Sequence, residues 1–156
     1  DGDLVGFDTD MVGPMGYFAD ISRTFHCGPS QPTKRQKQLY REAVDEVEHN
    51  MALIRPGVTL HEFRERCKPM DPSFQEQAYS CLLHGVGMCD EYPQIKHPWK
   101  EQPYSGSFEE GMVVCVESYC GAVGERDGVK LEQQVLVTQD GVELLSYYPW
   151  DEKLMG

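Results

Sequence analysis

Three carboxylates open the chain in close order: Asp8 and Asp10 on either side of Thr9, then Asp20 ten residues beyond Asp10. Acids at alternate positions of a strand project from one face, and like charges held together repel unless a cation lies among them. A metal ion is such a cation, and His84, Glu117 and Glu132 are of the types that complete its shell. Carboxylate oxygens with a single imidazole suit a harder divalent ion such as manganese, iron or cobalt better than a thiolate site does. Shared carboxylates allow one ion or two adjacent ones. Such ions polarise a carbonyl or carboxylate oxygen, or activate water. Either Glu alone reads equally well as the solvent-facing position of an antiparallel strand. Acids in four separate strands together with a Gly-flanked His make coincidence the weaker account.

The elements that must position these groups follow from pattern. Leu4 to Val12 reads as a strand stopped by Gly13-Pro14, and Tyr17 to Phe25 as a second strand, so that a hairpin sets Asp20 beside Asp8 and Asp10. Thr33 with Gln36 forms a capping-box start to a helix running to about Ile54, with apolar Tyr40, Ala43, Val44, Val47, Met51 and Ile54 spaced by three or four. Thr59-Leu60-His61-Glu62 opens a second, short helix to about Cys67. Residues 74–83 fit helix or strand, His84-Gly85-Val86-Gly87 reads as a small-residue turn, and residues 90–108 as a long irregular loop. Met112 to Tyr119 and Val129 to Val137 are strands, and Asp140-Gly141 turns the chain into a last strand, Val142–Leu145. The order is α+β.

The 156 residues are about one domain by length. Acids outnumber bases 26 to 14, for a net charge of −12, which argues against a nucleic-acid backbone or an anionic membrane as partner. No apolar run approaches the ~18 residues of a membrane span. The six cysteines show no C-x-x-C pair, and Cys81, Cys115 and Cys120 lie among apolar residues, as buried free thiols do; this favours a reducing, cytoplasmic setting. Asp1-Gly2-Asp3 is not a signal peptide and reads as a turn into a strand, so the chain is expected to begin inside a larger protein.

Taken in order, Asp10, then Asp20-Ile-Ser-Arg-Thr-Phe, His84-Gly-Val-Gly, Glu110-Gly-Met-Val-Val-Cys-Val-Glu117 and Val129-Lys-Leu-Glu132-Gln-Gln-Val-Leu-Val-Thr resemble the pita-bread metallopeptidase superfamily of creatinase, aminopeptidase P, prolidase and methionine aminopeptidase. The resemblance runs from about residue 4 to 145. It implies a curved antiparallel sheet flanked by helices, and a dinuclear-type site with Asp10, Asp20, His84, Glu117 and Glu132 as ligands, Asp20 and Glu132 bridging. It also implies that residues 1–156 are the C-terminal part of the catalytic domain, with the upstream part and an N-terminal domain absent from the chain, and a homodimer.

Departures from the peptidase pattern narrow the expectation. Acids flank Thr9, where the peptidases place their first aspartate. Asp90 stands near the position of their proton-handling histidine, and Ser118-Tyr119 follows Glu117 in place of Pro-Gly. In these respects the chain is similar to the dimethylsulfoniopropionate lyases of the superfamily, whose site is described as iron-containing. That likeness implies β-elimination from a small substrate carrying a carboxylate and a sulfonium group, with Asp90 as general base. Tyr79 is a further candidate for metal or substrate contact, and Asp8 for a sixth ligand or a tuner of Asp10. Tyr92, Trp99 and Tyr104 offer aromatic walls to a cation, Tyr92 being the substrate-binding candidate. The alternatives are a metallohydrolase acting on Xaa-Pro peptides and a non-catalytic module binding peptide or protein. Arg23 reads as structural, pairing with an acid after the second strand; His49 as solvated; His61 as part of its capping box; His26 and His97 have no evident partner.

Overall fold

A computed structural model describes residues 1–156. Strands β1 (Leu4–Val12) and β2 (Phe18–His26) form an antiparallel hairpin with Asp10 opposite Asp20. The turn between them is tight: Met15 and Gly16 take φ of 66° and 87°, left-handed values that glycine tolerates and methionine rarely adopts. Helix α1 (Lys34–Leu53) starts where its capping box predicts. The Gln36 N–H donates to Thr33 Oγ1 at 3.1 Å, and the Thr33 N–H donates to Gln36 Oε1 at 2.9 Å. Helix α2 (Leu60–Arg66) opens with the same device at Thr59 and Glu62.

The remaining strands, β3 (Leu83–Val86), β4 (Asp90–Ile95), β5 (Val113–Cys120), β6 (Val129–Thr138) and β7 (Gly141–Leu144), make a five-stranded antiparallel sheet ordered β4-β3-β5-β6-β7. A last helical turn, α3 (Glu152–Met155), packs on α1. Three sequence expectations change here. Residues 74–83 begin in a 3-10 turn (Pro72–Phe74) and run on irregularly to β3. His84-Gly85-Val86 is a strand, held between β4 and β5, rather than a turn. The segment expected to be irregular from residue 90 starts with β4, an edge strand. Pro93 lacks an N–H and two acids lead the segment, a composition that hides a strand but is tolerated on an edge. Gly85 permits the register shift between these strands: a Cβ there would stand 2.2 Å from the Tyr92 carbonyl oxygen.

Alternation along β5 and β6 divides the molecule into two layers. Val114, Val116 and Cys120, with Val129, Leu131, Val135 and Val137, pack with Leu39, Tyr40, Ala43, Val44 and Val47 of α1. Burying each such Leu or Val contributes roughly 1.5–3 kcal/mol. The intervening residues, Cys115 and Glu117 on β5 and Lys130, Glu132 and Gln134 on β6, meet the hairpin instead. Thr24 Oγ1 accepts from the Lys130 N–H at 3.0 Å and donates to its carbonyl at 2.8 Å, and the Asp20 N–H donates to Gln134 Oε1 at 3.0 Å. Both faces of β5 and β6 are therefore covered, and acids that an open sheet would leave wet are buried.

Arg23 helps join the layers, although its partners are not the acid expected. Its guanidinium donates to the carbonyls of Ser22 (2.8 Å), Glu132 (2.6 Å) and Tyr148 (2.5 Å) and to Gln133 Oε1 (2.7 Å), and lies 4.3 Å from the Trp150 ring centroid. On the helix side one acid is buried: Glu46 accepts from Ser118 Oγ at 2.6 Å, and burial pushes its carboxyl up to about 7. All six cysteines are free thiols.

Candidate metal centre

Strand register assembles the site. Glu117 lies directly opposite Glu132, His84 opposite Cys115, and Asp10 opposite Asp20. His84 Nε2 stands 3.2 Å from Glu117 Oε1, 3.5 Å from Glu132 Oε1 and 3.6 Å from Asp20 Oδ2. Ligand atoms of Asp20, His84, Cys115 and Glu132 all lie within 4.8 Å of one another, and so do those of Asp10, Asp20 and Asp90. Asp20, His84, Glu117 and Glu132 are buried, whereas Asp10 and Asp90 are exposed at the mouth. Asp90 Oδ1 is 3.6 Å from His84 Nδ1, the nitrogen that also lies 3.1 Å from the Gly85 carbonyl. A proton on Nδ1 donated to that carbonyl leaves the Nε2 lone pair free to ligate a metal ion among the carboxylates.

Charge is in surplus here. Burial pushes the Asp20 carboxyl up, and Glu132 and Asp10 add to it, to about 8. Burial is also the main cause that raises Glu132. Burial opposes charge on His84, but the adjoining Glu117 and Glu132 carboxylates outweigh it and lift the imidazole to about 11. Burial and the neighbouring like charges favour the neutral forms of Asp20 and Glu132, and a divalent ion would reverse the logic. Glu132 Oε1 is buried and makes no hydrogen bond, which leaves an acceptor free for such an ion. Five carboxylates and one imidazole fit a hard or borderline divalent metal. The Cys115 thiol adjoins the group; burial, then Glu132 and Asp20, raise its pKa and keep it neutral.

Asp8 joins from the other side. Its Oδ1 accepts from Ser22 Oγ at 2.5 Å, and Ser22 Oγ also lies 2.8 Å from Glu132 Oε2. Tyr79 is half-buried beside this side. Burial, then Glu117, raise its phenol, which stays protonated. His97 acquires a partner: Nε2 lies 3.0 Å from the Tyr79 carbonyl, and burial lowers the imidazole to about 4, so the neutral ring donates that bond. Tyr92 is not brought to the cluster. Its ring packs on Tyr104 with centroids 5.3 Å apart, and its hydroxyl fills the space a Cβ at Gly106 would need. Tyr104 bonds the Gln94 backbone, and Trp99 stacks on His97 at 4.6 Å. His49 is exposed and bonds the Arg66 carbonyl at 2.9 Å, and His61 is exposed beside Glu65.

Sequence reasoning missed Lys130 and Ser22. The Lys130 ammonium pairs with Glu117 Oε2, donates to Ser22 Oγ at 2.9 Å, and lies 3.7 Å from Asp8 Oδ2 and 4.2 Å from the Tyr79 ring centroid. The signal was available: Lys130 precedes Glu132 by two, so strand alternation puts both on one face.

Comparison with known proteins places this geometry in context. The model of metallopeptidase family M24 matches residues 1–139. The dimethylsulfoniopropionate lyase DddP of Roseovarius nubinhibens is 43% identical over 156 residues, covering 99% of this chain and 35% of that protein. The enzyme of the same name from Roseobacter denitrificans is 39% identical over 158 residues, with the same coverage. The chain thus spans about a third (35%) of the length of these relatives. Among solved structures, the prolidase from Pyrococcus horikoshii OT3 superposes with a TM-score of 0.79 at 26% identity, over 96% of this chain and 41% of that one.

Proposed function

The chain belongs to metallopeptidase family M24, and from that premise we propose that its centre is a lyase site, cleaving dimethylsulfoniopropionate to dimethylsulfide and acrylate. The observation that carries this reading is the disparity in likeness: 43% identity to a lyase of that name over 99% of the chain, against 26% to a prolidase of the same fold. The pita-bread fold is common to both reactions, so the fold alone does not decide between them.

Asp10, Asp20, His84, Glu117 and Glu132 would hold the ion or ions, with Asp8 as a sixth ligand and fifth carboxylate; iron is the metal we propose. Bound there, a divalent ion supplies a Lewis acid that draws electron density from the substrate carboxylate and acidifies its α-proton. Asp90 takes that proton. The electrons of the broken Cα–H bond form the Cα=Cβ double bond, the Cβ–S bond breaks, and its pair leaves with sulfur as neutral dimethylsulfide. Asp90 is 62% exposed, so it returns the proton to solvent. A carboxylate suits this work because its position beside His84 needs no other group to move. Tyr79, fixed through its carbonyl by His97, orients the substrate with its phenol. Residues 1–156 then form the C-terminal part of a longer catalytic domain, a reading supported by the 35% of each relative they span and by the outward-facing Phe7 and Met11 of β1.

Headspace gas chromatography after adding dimethylsulfoniopropionate to the metal-loaded intact protein tests the proposal. Dimethylsulfide with an equal amount of acrylate is expected, and no release of proline from a Xaa-Pro dipeptide. Dipeptide hydrolysis without dimethylsulfide would instead establish the peptidase reading, which the prolidase fold favours.

A further inference from the structure

Strand β2 pairs on one edge only, with β1, and belongs to a different sheet from β6. No backbone ladder therefore fixes Asp20 on β2 against Glu132 on β6, and side chains must do it. At the far end of the seam Thr24 Oγ1 meets both backbone groups of Lys130, at 2.8 and 3.0 Å. At Asp20 itself the link is a single amide. Gln134 Oε1 accepts from the Asp20 N–H at 3.0 Å, and Gln134 Nε2 donates to the Phe18 carbonyl at 3.3 Å. Only one orientation of the amide satisfies both, with its oxygen toward the N–H and its nitrogen toward the carbonyl. These two groups flank Ala19 and point away from β1, so the side chain stands where another strand would pair. The same short segment is fastened to the end of β3 as well, because the Phe18 N–H donates to the Gly87 carbonyl at 2.8 Å. Asp20 is 3% exposed, so bulk water does not stand in for Gln134 at its N–H.

Resting on the metal-centre reading above, we propose that Gln134 is a positioning residue of the centre, its amide setting where Asp20 stands relative to Glu132 and His84. The spacing suits this duty. Gln134 follows Glu132 by two, so both side chains leave the same face of β6, one to supply a ligand and the next to hold a ligand of the facing strand. The amide is uncharged, so it fastens β2 without adding to the crowd of carboxylates, as a Glu there would. Without it the Asp20 N–H is buried and unpaired, and it regains a partner only if the hairpin shifts or admits water. Either change moves the Asp20 carboxylate, which now lies with the ligand atoms of His84 and Glu132 inside 4.8 Å. Removing Thr24 Oγ1, by contrast, loosens the same seam further along β2 and leaves the Phe18–Asp20 segment held on both sides.

The test is titration of the chelator-treated intact protein with cobalt(II), followed by calorimetry and by the visible absorption of the bound ion. Gln134→Met keeps the length of the side chain and neither hydrogen bond. It should weaken cobalt binding about 10–100-fold, the cost typical of residues that hold a ligand in place, whereas Thr24→Val should leave it within about threefold. The absorption band of cobalt bound to Gln134→Met should also differ from the wild type in position or intensity, because it reports coordination geometry, and that of Thr24→Val should not. Gln134→Asn, whose amide falls one methylene short of its partners, should behave like the Met variant and serves if that one does not fold. Cobalt affinity unchanged in both Gln134 variants overturns the proposal, whatever the spectrum. An equal loss in Thr24→Val overturns it too, because Gln134 would then be one more fastener of the hairpin. No cobalt bound by the wild type overturns the metal-centre reading itself, and the proposal with it.

Discussion

The two walls of the site hold their acids differently. Glu117 and Glu132, on β5 and β6, are 2% and 1% exposed, sealed between α1 and the hairpin. On β1, by contrast, Asp8 is 46% exposed at its side chain and Asp10 is exposed as well. Desolvating a carboxylate is costly unless a cation or hydrogen bonds compensate. The back wall therefore needs positive charge to be tolerated at all, and takes it from His84 and Lys130. The front wall is content with water and needs a cation only for function. Removing an acid should accordingly change folding at the back and only binding at the front.

The largest effect separates these outright. Glu132→Gln should abolish metal binding and lower lyase turnover by more than about 100-fold, beyond what residues that merely support a ligand cost. It should also raise the melting temperature of the chelated protein near neutral pH, since burial already disfavours charge at this position. Asp10→Asn should lose metal just as fully but leave the chelated protein's stability within about 0.5 kcal/mol. Equal thermal shifts in the two variants would break the contrast. Next is the mouth: Asp90→Asn should lower the rate about 10²–10⁴-fold, the range for a general base, with metal content unchanged. A simultaneous loss of metal would make Asp90 a ligand instead. Asp8→Asn, on the Lys130 side, should cost about 10–100-fold in affinity for metal and less in stability than any change at Glu132.

Glu46 sharpens the comparison as a buried acid outside the site, pushed up from 4.5 to about 7 by burial. A raised carboxyl stabilises fully below its unfolded value of 4.5, and that contribution is lost as pH rises through about 7. Glu46→Gln should flatten this decline and be the more stable protein at pH 8, by up to roughly 3 kcal/mol. Denaturant melts of both proteins at pH 4.5, 6 and 8 measure it. A fall in stability of the variant at every pH would show that Glu46 is charged and paired.

Much of this was legible beforehand, for identifiable reasons. The hairpin, α1, β5 and β6 each carry a clean period, and Thr33 and Thr59 mark helix starts with a bonded cap. The acids stood out because they interrupt apolar strands, and His84 because glycines follow it. β4 was not legible, since an edge strand beginning with two acids and containing Pro93 resembles a loop. β3 was obscured by its glycine, present because Tyr92 crosses over it rather than because the chain turns. Lys130 was hidden by its type: lysine is ordinarily a surface residue, although its spacing of two from Glu132 puts it on the ligand face. The packing of Tyr92 on Tyr104 was not legible, because an aromatic in an irregular segment gives no direction until its strand is known.

The Arg23 cluster makes the site vulnerable from a distance. One guanidinium fastens the carbonyl of Glu132 to that of Tyr148 and rests on Trp150, whose indole N–H reaches Glu48 on α1 at 3.2 Å. The segment after β7 is thus a strap buckled across the back of the ligand strand. Proteolysis between Leu145 and Tyr148 would leave every ligand in the chain and yet loosen the Tyr148 carbonyl that, with that of Glu132, anchors the Arg23 guanidinium.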